Sequence, residues 1–317
     1  MARPLRYLPE TRNTVEVTTR AIQRRLLLRP SNELNEIVVG ILGMALELCT
    51  GIELHAVAVL SNHVHMILTT PDAALLARFM CFVNGNLAKE AGRLHRWREK
   101  FWARRYRSIP ILDDTAQLAR MRYLLSHGCK ENLVARPADW PGVHSANALA
   151  HGETLVGCWF DRSAEYAARR RGEEFDRYEY AERQEVTLSP LPCLQARTEA
   201  QRQAFFRGML EEIEAETRER MEREGIRPMG AARILRQDPH DAPAEPKRSP
   251  APWCHAATRA TRKLYYEAYR VFFSLYREAA DRLRAGDRLV EFPPGCFPPA
   301  LPFPGSETPA AACGPAP

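Results

Sequence analysis

No Cys-x-x-Cys pair occurs among the eight cysteines, which stand at positions 49, 81, 129, 158, 193, 254, 296 and 313. A structural zinc knuckle needs paired thiolates, so that class is set aside. The scatter reads instead as free thiols in a reducing compartment. No apolar stretch approaches the length of a membrane-spanning helix. The opening run Met1-Ala2-Arg3-Pro4-Leu5-Arg6-Tyr7 lacks the apolar core of a signal peptide. These absences predict a cytoplasmic protein with no membrane partner. There is no internal repeat and no Gly-rich nucleotide-binding loop, so nothing points to a solenoid or to ATP chemistry.

What is present suits a soluble globular chain. Its 317 residues are 45% hydrophobic and 26% charged, enough for one large core or two modest ones. The net charge of +6 favours an anionic partner such as nucleic acid.

Alternating β-branched residues at Thr14-Val15-Glu16-Val17-Thr18-Thr19 predict a strand. Ser31 or Asn32 caps a helix to about Cys49, and strands follow over about 54–60 and up to Thr70. Asp72 caps a helix to about Leu94, and the stretch from Arg104 to Leu112 contains a strand. Asp113 or Asp114 caps a helix to about His127, where Gly128 fits a C-terminal cap. The order β-α-β-β-α-β-α is that of an α+β fold, a split βαβ (ferredoxin-like) antiparallel sheet with helices. Past residue 135 the character changes. Glu165 to Glu185 is highly charged and reads as partly helical, and Thr198 to Glu224 reads as a long helix with a Phe205, Phe206, Met209, Leu210, Ile213 stripe. Pro239 to Pro252 is proline-rich, and Ala256 to Leu283 is amphipathic. The expected division is a catalytic unit over 1–150, a mainly helical extension over 151–290 and an irregular Pro/Gly/Ala-rich tail over 291–317.

The most informative run is Leu60-Ser61-Asn62-His63-Val64-His65-Met66-Ile67-Leu68. Histidines two apart on a strand share a face, and two converging imidazoles are candidate ligands for a divalent metal. Two polar residues on a half-buried strand would leave the same pattern. Tyr123, on a later helix, is either a packed aromatic or a nucleophile beside that pair. His127 follows it by four residues and shares its helix face, as a ligand or as a polar residue closing the helix. The run from Arg96 to Arg107 interleaves cations with aromatics, as expected for a surface that neutralises phosphates and stacks unpaired bases. Its candidate DNA-binding residues are Arg98, Lys100, Trp102, Arg104, Arg105 and Arg107, joined by Arg122 beside Tyr123. The alternative is that Trp97, Phe101 and Trp102 are core and the arginines a solvated rim. Arg227, Arg233, Arg236, Lys247, Arg248, Arg259, Arg262 and Lys263 add basic charge farther on, so the extension is expected to enlarge the DNA surface and leave 1–150 self-sufficient.

Three segments then stand in register: Asn62-His63-Val64-His65, Arg122-Tyr123-Leu124-Leu125-Ser126-His127 and Pro137-Ala138-Asp139-Trp140-Pro141. In this order and spacing the chain resembles the single-tyrosine transposases of the HUH endonuclease superfamily, in particular the REP-associated tyrosine transposase branch, over roughly residues 10–150. Ser61 stands where that family usually has proline, and Ser126-His127-Gly128-Cys129-Lys130 replaces its usual Asn-Pro-Val-Arg. The resemblance implies a metal-dependent DNA strand transferase. Tyr123 would attack a phosphodiester to give a 5′-phosphotyrosine link and a free 3′-hydroxyl. His63 and His65 would hold a divalent ion, Mg or Mn, and His127 falls at the family's third-ligand position, one turn past the tyrosine. Three imidazoles suit Mn²⁺ or later metals better than Mg²⁺. The implied partner is single-stranded or hairpin DNA. Family members differ on whether the tyrosine acts within one subunit or across a homodimer. A replication initiator or relaxase would carry helicase or further domains, and none is visible. The alternative from another class is a domesticated protein that binds hairpin DNA without transposition activity.

Overall fold

Four segments build the central sheet, with successive side chains on opposite faces and β2 and β3 buried along almost their whole length. The computed structural model describes residues 7–9, 12–243, 252–296, 298 and 299. Most of the proline-rich run, with Lys247 and Arg248, and most of the tail lie outside the described residues. Strand β1 spans Asn13–Arg20, β2 Glu53–Leu60, β3 His63–Thr70 and β4 Arg107–Pro110. They form one antiparallel sheet in the order β2-β3-β1-β4, as the split βαβ pattern predicts.

Between the strands run α1, Asn32–Leu48, and α2, Ala73–Leu94. Ser31 and Asp72 cap them by accepting from the amides of Leu34 and Leu75. Both helices cover the sheet face lined by Val15, Val17, Val57, Val59, Val64, Met66 and Leu68, and that layer is buried and apolar throughout. After β4 come α3, Asp114–Leu125, capped by Asp113, and the short α4, His127–Lys130. Gly128 is not a helix terminator. It lies inside α4, where a Cβ would come within 3.1 Å of Val134 and 3.7 Å of the Trp140 ring. Trp140 is buried and donates its indole N–H to the Val59 carbonyl, which makes it an anchor for the loop.

The helical α5, Ala146–His151, leads to an element the sequence does not announce. Strands β5, Leu155–Phe160, and β6, Ala181–Val186, form a two-stranded antiparallel sheet with α6, Arg162–Arg171, between them. Thus the charged stretch 165–185 starts helical and finishes as a strand. The hairpin packs on α1 so closely that a Cβ at Gly40 would lie 2.0 Å from the Cys158 carbonyl oxygen, and one at Gly157 2.3 Å from that of Glu36. Only glycine permits this approach. Arg177 fastens the assembly. Its guanidinium sits 3.7 Å from the Phe160 ring centroid and pairs with Glu165, Glu90 and Glu33.

On the other sheet face, Ala56, Ala58, Leu60 and Ile67 meet Met121, Leu124 and Leu125 of α3. Phe206, Met209, Leu210 and Ile213 of α7, Glu199–Glu224, and Ile234 of α8, Ala231–Ile234, complete the same core. The core therefore runs straight through the boundary expected near residue 150, and a self-sufficient unit ending there would expose the helix that carries Tyr123. The last helix, α9, Arg259–Arg284, leaves Leu264, Val271 and Leu275 exposed. Among the described residues no helix is long and apolar enough to cross a membrane, and seven cysteines are free thiols.

Candidate active site

Register decides what shares a face. In the β1–β3 ladder Arg20 stands opposite His63, Thr18 opposite His65 and Glu16 opposite Ile67. Both histidines therefore project to the α3 side, together with Glu16 and Arg20 from the neighbouring strand. They are deeply buried, at 5% and 1% exposure, and His127 at 8% closes over them from the start of α4. The ring centroids of His63 and His127 are 4.7 Å apart, and those of His65 and His127 5.7 Å. Tyr123, half-buried on α3, lies 5.8 Å from the His65 ring and 5.3 Å from that of His127. The structure thus brings His63, His65, His127 and Tyr123 together.

Glu16 organises the floor. It contacts His65 Nε2, accepts from Arg120 at 2.6 Å and meets His255 Nε2 through its second oxygen. The His255 contact is close in distance but poorly aligned as a hydrogen bond, so His65 and Arg120 are the firm anchors. Burial pushes the Glu16 carboxyl up, but His255, His65 and Arg120 outweigh that and hold it well below the ordinary carboxylate range. His255 reaches the site because its backbone pairs with the end of β4, through a bridge to Ile111.

Each histidine keeps one buried ring nitrogen without a hydrogen-bond partner. His65 spends Nε2 on Glu16 and leaves Nδ1; His63 pairs Nδ1 with Asn62 Oδ1 at 2.7 Å and leaves Nε2; His127 leaves Nδ1. Burial lowers His63 well below its ordinary pKa, helped by His127 and Arg20. Burial, then His65, Arg20 and Lys130, lowers His127 to about 3. Neutral rings with free nitrogens have the donor chemistry a divalent ion needs. As they stand they do not enclose one: among the described residues, no group of three or more His, Cys, Asp or Glu side chains is arranged to hold a metal ion.

Cations gather round the tyrosine. Arg120 lies 4.1 Å and Lys130 4.6 Å from the Tyr123 ring centroid. Arg20 is half-buried, and its pKa is lowered by burial and then by Arg24 and Arg104, with Tyr123 acting in the opposite sense. Of the expected DNA-binding residues, Arg98, Lys100, Arg104, Arg105 and Arg107 are exposed. Phe101 is core, and Trp97 and Trp102 pack against it, so the aromatics follow the packing alternative. Trp102 is partly exposed, and its indole N–H donates to the Asn84 carbonyl at 2.9 Å. Arg122 points elsewhere: Glu212 and Glu216 of α7 take its guanidinium at 2.8 and 2.6 Å. Its charge is already matched.

Sequence reading missed Glu16, Arg20, Arg120, Lys130 and His255. Alternation along β1 puts Glu16 and Arg20 on one face, but only pairing with β3 shows that the histidines share it. His255 had no local signal.

No protein-family model and no curated protein matches the sequence. Among solved structures, a REP-associated tyrosine transposase bound to a REP hairpin aligns at 18% identity and a TM-score of 0.35, over 48% of this chain and 87% of that one. A protein named as a candidate transposase from Deinococcus radiodurans R1 aligns at 17% identity and a TM-score of 0.28, over 39% of this chain and 95% of that one. Likeness at this level carries no argument about activity, which rests on the residues of the site.

Proposed function

We propose that the chain is a metal-dependent transesterase that cleaves and rejoins single-stranded or hairpin DNA through Tyr123. The observation that supports this reading is the convergence of Tyr123 with three imidazoles, each holding a free buried nitrogen, beside the cations Arg120 and Lys130. His63, His65 and His127 would hold a divalent ion, Mn²⁺ suiting imidazole better than Mg²⁺, and it would polarise a non-bridging phosphate oxygen.

The chain's own residues do the rest. A phenol is a weak nucleophile until it loses its proton, and Arg120 and Lys130 beside the ring would offset the negative charge of the incoming phosphate. The Tyr123 oxygen forms a bond to phosphorus, and the bond from phosphorus to the 3′ oxygen breaks. The phenolic proton passes to water, and the 3′ oxygen takes one up. Phosphodiester energy stays in the 5′-phosphotyrosine link, so attack by a 3′-hydroxyl reverses the step. Glu16 orients His65 and Arg120 from beneath.

Incubation with Mn²⁺ and a DNA hairpin bearing a 5′ single-stranded extension should yield a covalent protein–DNA adduct, seen as a shifted band on a denaturing gel. Tyr123→Phe should abolish it. Undiminished adduct in that variant would place the nucleophile elsewhere. A second reading, hairpin binding without cleavage, draws on the open arrangement of the three imidazoles. It is favoured if the protein shifts the hairpin on a native gel but forms no adduct in excess Mn²⁺.

A further inference from the structure

Beyond the histidines the molecule carries a groove that no step above uses. It lies between the outer face of α2 and the strip of residues 100–106, with a volume of about 550 Å³. That size suits a small ligand such as one nucleotide. Ala77, Cys81, Gly85 and Ala88 form its floor. Trp102 stands as a wall, held by its bond to the Asn84 carbonyl and by edge-to-face contact with Phe101 at 4.7 Å. Lys100 and Arg104 line the rim, and both are exposed. The Asn84 side-chain oxygen is buried there without a hydrogen-bond partner.

Two further observations bear on the groove. Gly85 sits inside a helix, where glycine costs up to about 1 kcal/mol relative to alanine. Packing does not demand it, since a Cβ at Gly85 would meet nothing within 4 Å. Its effect is to keep the floor open. The groove and the active site lie to either side of one wall. Trp102 bridges to Ala21, and the Ala103 amide donates to the Arg20 carbonyl at 3.0 Å. Arg20 in turn stands opposite His63. Residues 20–22 and 101–104 are thus a wall common to both.

We propose that this groove receives one unpaired base of the DNA strand whose scissile phosphate lies at Tyr123, stacked on Trp102 with its phosphates on Lys100 and Arg104. This rests on the reading of the chain as a DNA transesterase. Stacking on Trp102 needs a free base face, so the groove would favour an unpaired base over a paired one. Stacking supplies affinity without base identity, and the cations supply the salt-dependent part.

The test uses the full chain and two fluorescent DNA hairpins, one blunt and one with a single-stranded extension, in EDTA, with binding read by anisotropy. The unmodified chain should prefer the extended hairpin. Gly85→Leu, which fills the groove, should cut that preference about tenfold, the worth of one stacked base. Gly85→Ala should cut it less, and neither variant should lower Tm. Arg104→Ala should reduce the salt slope by about one released counterion. Cys81 supplies a second readout. It is the one exposed thiol among the described cysteines. The extended hairpin should slow its alkylation by iodoacetamide, located by peptide mass spectrometry, and the blunt hairpin should not. Adduct formation with an undiminished preference in folded Gly85→Leu, or equal alkylation with both hairpins, overturns the groove alone. No binding of either hairpin by the unmodified chain overturns the groove and the transesterase reading together.

Discussion

The two faces of the central sheet are made from alternate residues of the same strands, yet they share no chemistry. Under α1 and α2 the middle of the sheet is apolar and dry, with Asn13, Thr19 and Thr70 only at the strand ends. Under α3 the face is divided: Ala56, Ala58 and Ile67 continue the core, while Glu16, Arg20, His63 and His65 stand beside them on β1 and β3. One face supplies stability by burial. The other gives up that stability over half its area to hold ionisable groups away from water, where their interactions are strongest. A slip of one residue in β3 would exchange the faces, so the dry side fixes the register on which the site depends.

The largest expected effect belongs to the dry face. Phe79→Ala empties a fully buried ring site and should cost about 4 kcal/mol in urea melts. Adduct formed per folded molecule should stay the same; a selective loss of activity would show that the faces are coupled. On the polar face, Glu16→Ala leaves Arg120 and two histidines without their common partner and should cost about 3 kcal/mol. It should also suppress the adduct, whereas a cost as small as a surface substitution would deny Glu16 its organising role.

A pH series separates the faces further. His63 and His127 enter the fold neutral, with pKa values below the unfolded one near 6.5. The folded state then binds fewer protons than the unfolded chain. Their contribution is complete above pH 6.5 and is lost as pH falls toward about 3 for His127. Metal-free protein should lose about 1.4 kcal/mol per pH unit for each of them across that window. Glu16 acts in the same sense but only below its unfolded value of 4.5. His127→Gln should flatten the upper part of the profile, and an unchanged slope would mean that the ring is accessible to protons. The smallest effect is expected outside both faces. Arg122→Ala breaks an ion pair with exposed glutamates, should cost about 0.5 kcal/mol, and should leave the salt dependence of DNA binding as it was.

How much of this was legible depended on range. The first seven elements were readable because alternation, caps and helical periodicity are local, and their order gave the sheet. The histidine pair and Tyr123 were readable for the same reason. The β5–β6 hairpin was not. Its second strand, Ala-Glu-Arg-Gln-Glu-Val, is mostly charged, and only Gln184 and Val186 are buried. Glu16 and His255 belong to the site through a cross-strand register and a distant bridge, neither of which leaves a mark in the local sequence. The charged runs show the same limit. Residues 96–107 and α7 are both rich in charge in the sequence, and what distinguishes them is which charges find partners.

The backbone contact of Gly40 with the 157–159 segment also bears on how the chain is made. On the ribosome α1 emerges long before β5, so one flank of that helix has nothing to cover it while about a third of the protein is synthesised. Pairings this distant in sequence form slowly, because the intervening chain must first be closed. An unfinished polypeptide would therefore carry an open seam, narrowed by glycine and available to any strand that arrives first. Synthesis of this protein should depend on chaperones until residue 186 has emerged, and far less from then on.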